Sequence, residues 1–187
     1  IVLERTIKKK VRDFQPEIIA TGAMAGEFLF LEDTIKAARK FAPHIPIILG
    51  GSILTNDKTI FEVLRPDFGV IDEGEFPLIE LLSAIKLGSS VKKIENVAYW
   101  ENGKAIYNKL RNANYELDDL PFPDYEPLEI TKWHALSNQY DNYYQLRTRK
   151  DPRQLPITSG RSCPFRCTFC QYDTLEGSRR KYRSRST

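Results

Sequence analysis

Long apolar runs are missing from this chain of 187 residues. None approaches the roughly 18 to 20 residues that a bilayer-crossing helix needs. The nearest candidate, residues 45–54, is broken by Pro46, Gly50, Gly51 and Ser52. No membrane span is expected. Histidine and methionine are also scarce, at two residues and one. The first residue is Ile1 and the lone methionine is Met24, so the start reads as cut rather than initiated, and residues 179–187 offer no evident structural close. The chain is read as a fragment of something longer. A secretory leader needs an apolar core after its basic patch, but Glu4, Arg5, Lys8, Lys9 and Lys10 stand where that core would be. The expected location is the cytoplasm. No nucleophile with a paired base and no phosphate-binding P-loop is found.

No charge sign dominates either. Twenty-eight basic and twenty-five acidic residues leave a formal charge of +3, too little to imply nucleic acid. Nucleic acid is not an expected partner. The distribution is uneven, with Arg179, Arg180, Lys181, Arg183 and Arg185 crowding the end of the chain. Such a run usually faces solvent; the alternative is that some of it faces a carboxylate or phosphate. With 41% hydrophobic and 28% charged residues, the chain has the profile of a soluble globular protein.

Residues 1 to about 90 alternate helix-like and strand-like segments. In 2–14, Leu3, Ile7, Val11 and Phe14 recur at helical spacing. Residues 16–22 form a short apolar run ending in glycine, which suits a buried strand. A helix is predicted over 31–41, a strand over 46–51, a short helix over 58–64, a strand over 67–71 and a helix over 76–87 stopped by Gly88. This order implies an α/β fold with a doubly wound parallel sheet, Rossmann-like or flavodoxin-like, covered on both faces. From about residue 91 the pattern changes. Residues 96–100 and 104–108 flank Glu101-Asn102-Gly103, a hairpin signal, and 117–127 carry too much proline for a helix interior or central strand. That stretch reads as an ordered linker with aromatic anchors. Residues 131–150 resist assignment, and 155–158 read as one more strand.

All three cysteines fall within eight residues: Cys163, Cys167 and Cys170. An odd, tightly spaced set makes a poor disulfide framework and a good metal cluster. Thiolates are soft ligands, suited to iron–sulfur clusters and zinc. A cubane has four irons, so three thiolates leave one iron open to an outside chelate. A zinc site wants a fourth protein ligand, and neither His44 nor His134 stands at a motif spacing from the cysteines. Inert thiols are the third reading.

The spacing Cys163-x-x-x-Cys167-x-x-Cys170, with Phe169 before the last cysteine, resembles that of the radical S-adenosylmethionine (radical SAM) enzymes. The stretch 155–170, LPITSGRSCPFRCTFC, is similar to the barrel entry of their cobalamin-binding members. So are the basic stretch 179–186, the linker 117–128, and 46–55 and 68–85, which resemble the later half of a cobalamin-binding domain. The resemblance implies a truncated cobalamin-binding domain over 1–92, a hairpin and proline-rich linker over 93–152, and the first part of a radical SAM (β/α) barrel over 153–187. It implies three cofactors: a [4Fe-4S] cluster on Cys163, Cys167 and Cys170, S-adenosyl-L-methionine near Phe169, and cobalamin.

Ligands of doubly wound sheets bind beyond the carboxyl ends of the strands. There the sequence brings Thr21, Gly22, Gly50, Gly51, Ser52, Gly74 and Glu75, the candidate cobalamin contacts. Glycines allow close approach of a flat macrocycle; equally, Gly50 and Gly51 could merely end a strand, and Glu73 and Glu75 could be turn and helix-start residues. The Asp-x-His-x-x-Gly loop by which many cobalamin domains supply an axial histidine is absent, and His44 is a poor substitute. The expected function is that of a radical SAM enzyme fragment, cleaving S-adenosylmethionine to a 5'-deoxyadenosyl radical for methyl transfer to an unactivated carbon or a related cyclisation. An iron–sulfur electron-transfer or redox-sensing module is the alternative. A small-molecule substrate and an external donor such as a flavodoxin or ferredoxin are the expected partners. The fragment alone is expected to be inactive.

Overall fold

The structure is a computed structural model, and it describes residues 2–112, 115–130, 132, 157–165, 167–170 and 182–186. Two compact units divide the chain, Ile1–Ala113 and Asn114–Thr187.

The first unit opens with α1 (Val2–Phe14), which carries Glu4 in its first turn and Arg12 in its last, each complementing the helix dipole. Its Leu3, Ile7 and Val11 are half-buried. They form the side that lies along α2 (Phe28–Phe41), where Lys40 pairs with Glu4. Strand β1 (Ile19–Gly22) precedes α2, with a 3-10 turn at Ala25–Glu27 between them. The Glu27 carboxylate accepts the Met24 amide at 2.9 Å, so the helical path starts ahead of Leu31, where the periodicity predicts it. Then come β2 (Ile47–Gly50), α3 (Ser52–Asn56), α4 (Thr59–Leu64), β3 (Phe68–Val70), α5 (Glu75–Leu87), β4 (Val97–Glu101) and β5 (Lys104–Tyr107). Helix α5 stops where the sequence predicts, at Gly88, with the Ser89 amide returning to the Ala84 carbonyl at 2.8 Å.

Successive residues of a strand point to opposite faces, and here each face has its own core. Ile47 and Leu49 of β2 meet Leu31, Ile35 and Ala38 of α2, Ile53 and Leu54 of α3, and Phe61 and Leu64 of α4. Ile48, Val70, Val97 and Tyr99 meet Leu81 of α5 on the other side, with Leu78 and Ile85 flanking it. A sheet buried on both faces demands apolar strands without alternation, which is why β2 reads as an unbroken run.

The sheet is not wholly parallel. Its order is β1-β2-β3-β4-β5, with β1, β2 and β3 parallel and the β4–β5 hairpin antiparallel beside β3. Among the described residues the strand order never reverses. The three strands expected before residue 91 are parallel to one another, as the sequence predicts, and the hairpin adds two antiparallel strands beside β3, so the sheet as a whole is mixed and covered on both faces. The change of pattern near residue 91 marks a change of strand direction within one sheet. Val97 and Tyr99 serve the α5 core, Ala98 serves the opposite one, and Trp100 stacks on Phe61 at 5.2 Å.

The second unit holds an antiparallel pair, β6 (Gly160–Arg161) with β7 (Arg183–Ser184), and 3-10 turns at Leu117–Asp119 and Glu126–Leu128. Residues 157 and 158, the described part of the strand expected at 155–158, precede β6 and are not themselves in a strand. Most of 131–150 lies outside the described residues, as do Arg179, Arg180 and Lys181. No parallel strand pair occurs among the described residues of this unit.

Candidate functional site

Strands β1, β2 and β3 run in one direction and end at one edge of the sheet. Gly22 and Gly50 are register partners there. A β-carbon on Gly22 would stand 2.8 Å from the Gly50 carbonyl oxygen, so nothing larger than glycine fits. Gly51 has φ +85° and would bring a β-carbon within 3.1 Å of the Ala23 backbone. Gly50 differs. A β-carbon there would meet nothing nearer than the Val70 carbonyl at 3.7 Å. The fold has no steric need of glycine at position 50.

Three loops leave this edge, and hydrogen bonds tie them together. The Ile53 amide donates to the Ala23 carbonyl at 3.1 Å, joining the loops after β1 and β2. Thr55 Oγ1 donates to the Gly51 carbonyl at 3.3 Å and accepts from the Asp72 amide at 2.8 Å, joining the loops after β2 and β3. Asp72 is held at φ 74°, a conformation uncommon outside glycine. Beyond it, Asn96 Nδ2 reaches the Glu73 carbonyl at 3.4 Å. Asn96 is buried, with its own φ at 65°. Its Oδ1 accepts from the Arg111 amide at 2.6 Å, and its carbonyl accepts from the Ile71 amide at 2.8 Å.

Among the candidates, Thr21, Gly22 and Gly50 end two neighbouring strands, while Gly51 caps α3 and Ser52 opens it. Gly74 caps α5 and Glu75 opens it, just past β3. Apart from Glu75, these candidates are glycines or residues with small side chains. Thr55 and Asn96 belong to this edge as well, though no motif or spacing marks them in the sequence. His44 does not. It is exposed and precedes β2 at the opposite end of the strands.

In the second unit, β6 leads through Ser162 (φ 63°) into the cysteine loop. Cys163 and Cys167 are exposed, Cys170 is half-exposed, and all three are free thiols. The Cys170 amide donates to the Cys167 carbonyl at 2.9 Å, closing a tight turn. Phe165 and Phe169 are 73% and 90% exposed, which is unusual for phenylalanine and leaves Phe169 available to a ligand. The Ser162 hydroxyl is buried without a hydrogen-bond partner among the described residues. No three His, Cys, Asp or Glu side chains among the described residues are already gathered for a metal ion. The loop thus presents three soft donors on one short segment, a set that fits an iron–sulfur cluster or zinc.

Comparison with known proteins bears on both sites. The chain is 26% identical over 175 residues to an uncharacterized methyltransferase, PH0819, of Pyrococcus horikoshii; the match covers 92% of this chain and 35% of that protein. It is 25% identical over 174 residues to the anaerobic magnesium-protoporphyrin IX monomethyl ester cyclase of Cereibacter sphaeroides, covering 90% of this chain and 26% of the cyclase. The chain therefore spans about a third or less of the curated relatives it matches. No protein-family model matches it. Among solved structures, the cobalamin-dependent S-adenosylmethionine radical enzyme OxsB, with aqua-cobalamin and S-adenosylmethionine bound, aligns over 98% of this chain and 23% of its own. The TM-score is 0.72 at 21% identity. The radical S-adenosylmethionine methyltransferase TsrM of Kitasatospora setae, with cobalamin and a [4Fe-4S] cluster bound, aligns over 57% of this chain and 22% of its own, with TM-score 0.52 at 16% identity. These structural likenesses establish the fold. The resemblance read from the cysteine loop, the linker and the glycine-ended strands is to the same group of proteins.

Proposed function

We propose that this chain is the cobalamin-binding and cluster-bearing portion of a radical SAM enzyme. The observation that carries the proposal is the loop of Cys163, Cys167 and Cys170, three free thiols on one short segment, in a chain whose sheet also ends in strands closed by Gly22 and Gly50. Cys163, Cys167 and Cys170 would hold a [4Fe-4S] cluster, and exposed Phe169 would flank S-adenosylmethionine. Thr21, Gly22, Gly50, Gly51, Ser52, Gly74 and Glu75 would line the cobalamin site. When bound, the cluster and S-adenosylmethionine supply a one-electron route to a 5'-deoxyadenosyl radical, and cobalamin supplies a methyl carrier.

This chain's own residues place and shield those groups. Gly22 and Gly51 let the backbone of neighbouring segments close in on the strand ends, and Gly50, whose side chain the packing does not forbid, would leave its backbone bare to a planar ligand. Thr55 and Asn96 hold the loop over 72–74 in place. The fold around 1–113 and the stretch 153–187 correspond in this reading to a cobalamin-binding domain and the start of a radical SAM barrel, joined by the segment between them. The reaction is methyl transfer to an unactivated carbon of a small-molecule substrate, with the electron supplied by an outside donor such as a flavodoxin or ferredoxin. Sequence similarity to two anaerobic cyclases favours cyclisation as the second reading. With so small a share of its relatives' length, the chain alone is not expected to turn over.

Anaerobic reconstitution with iron and sulfide, followed by electron paramagnetic resonance of the reduced protein, tests the proposal. A [4Fe-4S] signal whose g values move on adding S-adenosylmethionine is expected. A signal indifferent to S-adenosylmethionine would favour an electron carrier.

A further inference from the structure

We infer that Arg161, Arg183 and Arg185 form a clasp that fastens the segment 115–122 to the strand pair at the base of the cysteine loop, and that Arg185 thereby positions the entry to Cys163. The basic end of the chain suits solvent or an anion when read from sequence. These three arginines instead grip the proline-rich segment.

Arg161, on β6, donates from Nη1 to the Tyr115 hydroxyl at 3.1 Å. Arg183, on β7 and only 9% exposed, lays its guanidinium over the ring of the same tyrosine at 4.9 Å. Arg185 then spans two segments at once. Nη1 donates to the Leu120 carbonyl at 2.9 Å, Nη2 to the Pro121 carbonyl at 3.2 Å, and Nε to the Thr158 carbonyl at 3.3 Å. The guanidinium also stacks on Phe122 at 4.5 Å, and its backbone amide donates to the Ser159 carbonyl at 2.8 Å. Next to it, the Ser186 amide donates to the Asp118 carboxylate at 3.0 Å.

The chemistry explains why arginine stands there. Pro121 and Pro123 have no N–H, so this segment cannot join a strand ladder, and its carbonyls need donors from elsewhere. Guanidinium offers five donors in a rigid planar fork together with a face that stacks on a ring. Lysine, a point charge on a flexible stem, cannot serve three carbonyls and a ring together. The segment gripped on one side, 158–161, leads directly into Ser162 and Cys163. A β-carbon on Gly160 would already lie 3.2 Å from the Arg183 carbonyl, so the two strands meet closely. Fixing this base before any ligand binds removes part of the ordering entropy otherwise lost when the thiols gather.

The positioning claim rests on the reading that the loop carries a cluster, while the clasp itself does not. The test compares the full chain with Arg185→Gln and Arg185→Lys after anaerobic loading with iron and sulfide. Two readouts are taken: the rate of iron loss to a ferrous chelator, and hydrogen exchange at the Leu120 and Phe122 amides. Arg185→Gln is expected to lose iron several-fold faster and to exchange faster at those amides, with β1–β5 protection unchanged and Arg185→Lys in between. Phe122→Leu, which removes only the stacked ring, is expected to shift both readouts less in the same direction. Equal exchange in the wild type and Arg185→Gln would overturn the clasp. Faster exchange with unchanged iron loss would overturn the positioning role. A wild-type chain that takes up no iron, while Arg185→Gln still exchanges faster, would sink the cluster reading and the positioning role and leave the clasp standing.

Discussion

The Asp72 amide donates to the Thr55 hydroxyl at 2.8 Å, so the loop following β3 hangs from the helix that follows β2. The same hydroxyl donates to the Gly51 carbonyl, so one side chain sets the spacing of two loops at the proposed cobalamin edge. Thr55→Val keeps the shape and removes the hydroxyl, at a cost of about 1 kcal/mol in a hydrogen bond of this kind. Cobalamin retained on gel filtration, followed by its absorption spectrum, should fall in Thr55→Val and recover in Thr55→Ser. Unchanged retention in Thr55→Val would show that the loop spacing does not depend on this bond.

Gly22 and Gly50 face each other in register, yet substitution should part them. Gly22→Ala drives a β-carbon to 2.8 Å from a backbone carbonyl, and such overpacking costs about 1–3 kcal/mol. Gly50→Ala meets only a 3.7 Å contact, so its thermal unfolding should match the wild type while cobalamin binding weakens. A Gly50→Ala protein that binds cobalamin normally would remove position 50 from the site.

His44 sits at the wrong end of β2 to reach the proposed cofactor. His44→Ala should leave the spectrum of bound cobalamin unaltered. A shift of its visible bands on that substitution would place an axial ligand where the fold does not.

Tyr107 offers a pH test of the sheet itself. Burial, then the neighbouring Glu62, pushes its phenol from 10.0 up to about 12. Its single hydroxyl proton is shared between the Lys58 carbonyl at 3.0 Å and Glu62 Oε1 at 3.1 Å. The folded state therefore keeps this proton through a range where the unfolded chain has lost it. Stability from this group is full below pH 10 and is lost as pH rises from 10 towards 12. Tyr107→Phe should show a shallower loss across that window in urea unfolding, and parallel profiles would contradict the assignment.

Much of the first unit is legible in the residues themselves. Helical spacing marks α1 and α5, unbroken apolar runs mark β1 and β2, and Asn102-Gly103 marks the β4–β5 turn. Strand direction is not, because local periodicity is the same in either sense; the antiparallel placement of β4 emerges only from its pairing with β3. Helix α3 escapes notice because five residues hold too little periodicity to see. Thr55 and Asn96 act through bonds between loops, which no spacing along the chain encodes. A guanidinium packed on Phe122 looks, in sequence, like one more solvated charge. The cysteine proposal is the opposite case, since it rests on the identity and spacing of Cys163, Cys167 and Cys170 in the sequence.

Metal analysis of the chain purified without oxygen tests the central claim most directly. The account predicts iron and acid-labile sulfide in equal amounts, about four of each per chain as expected of a cubane cluster, lost when Cys163, Cys167 and Cys170 are replaced by serine. Zinc held by those cysteines in place of iron would contradict it.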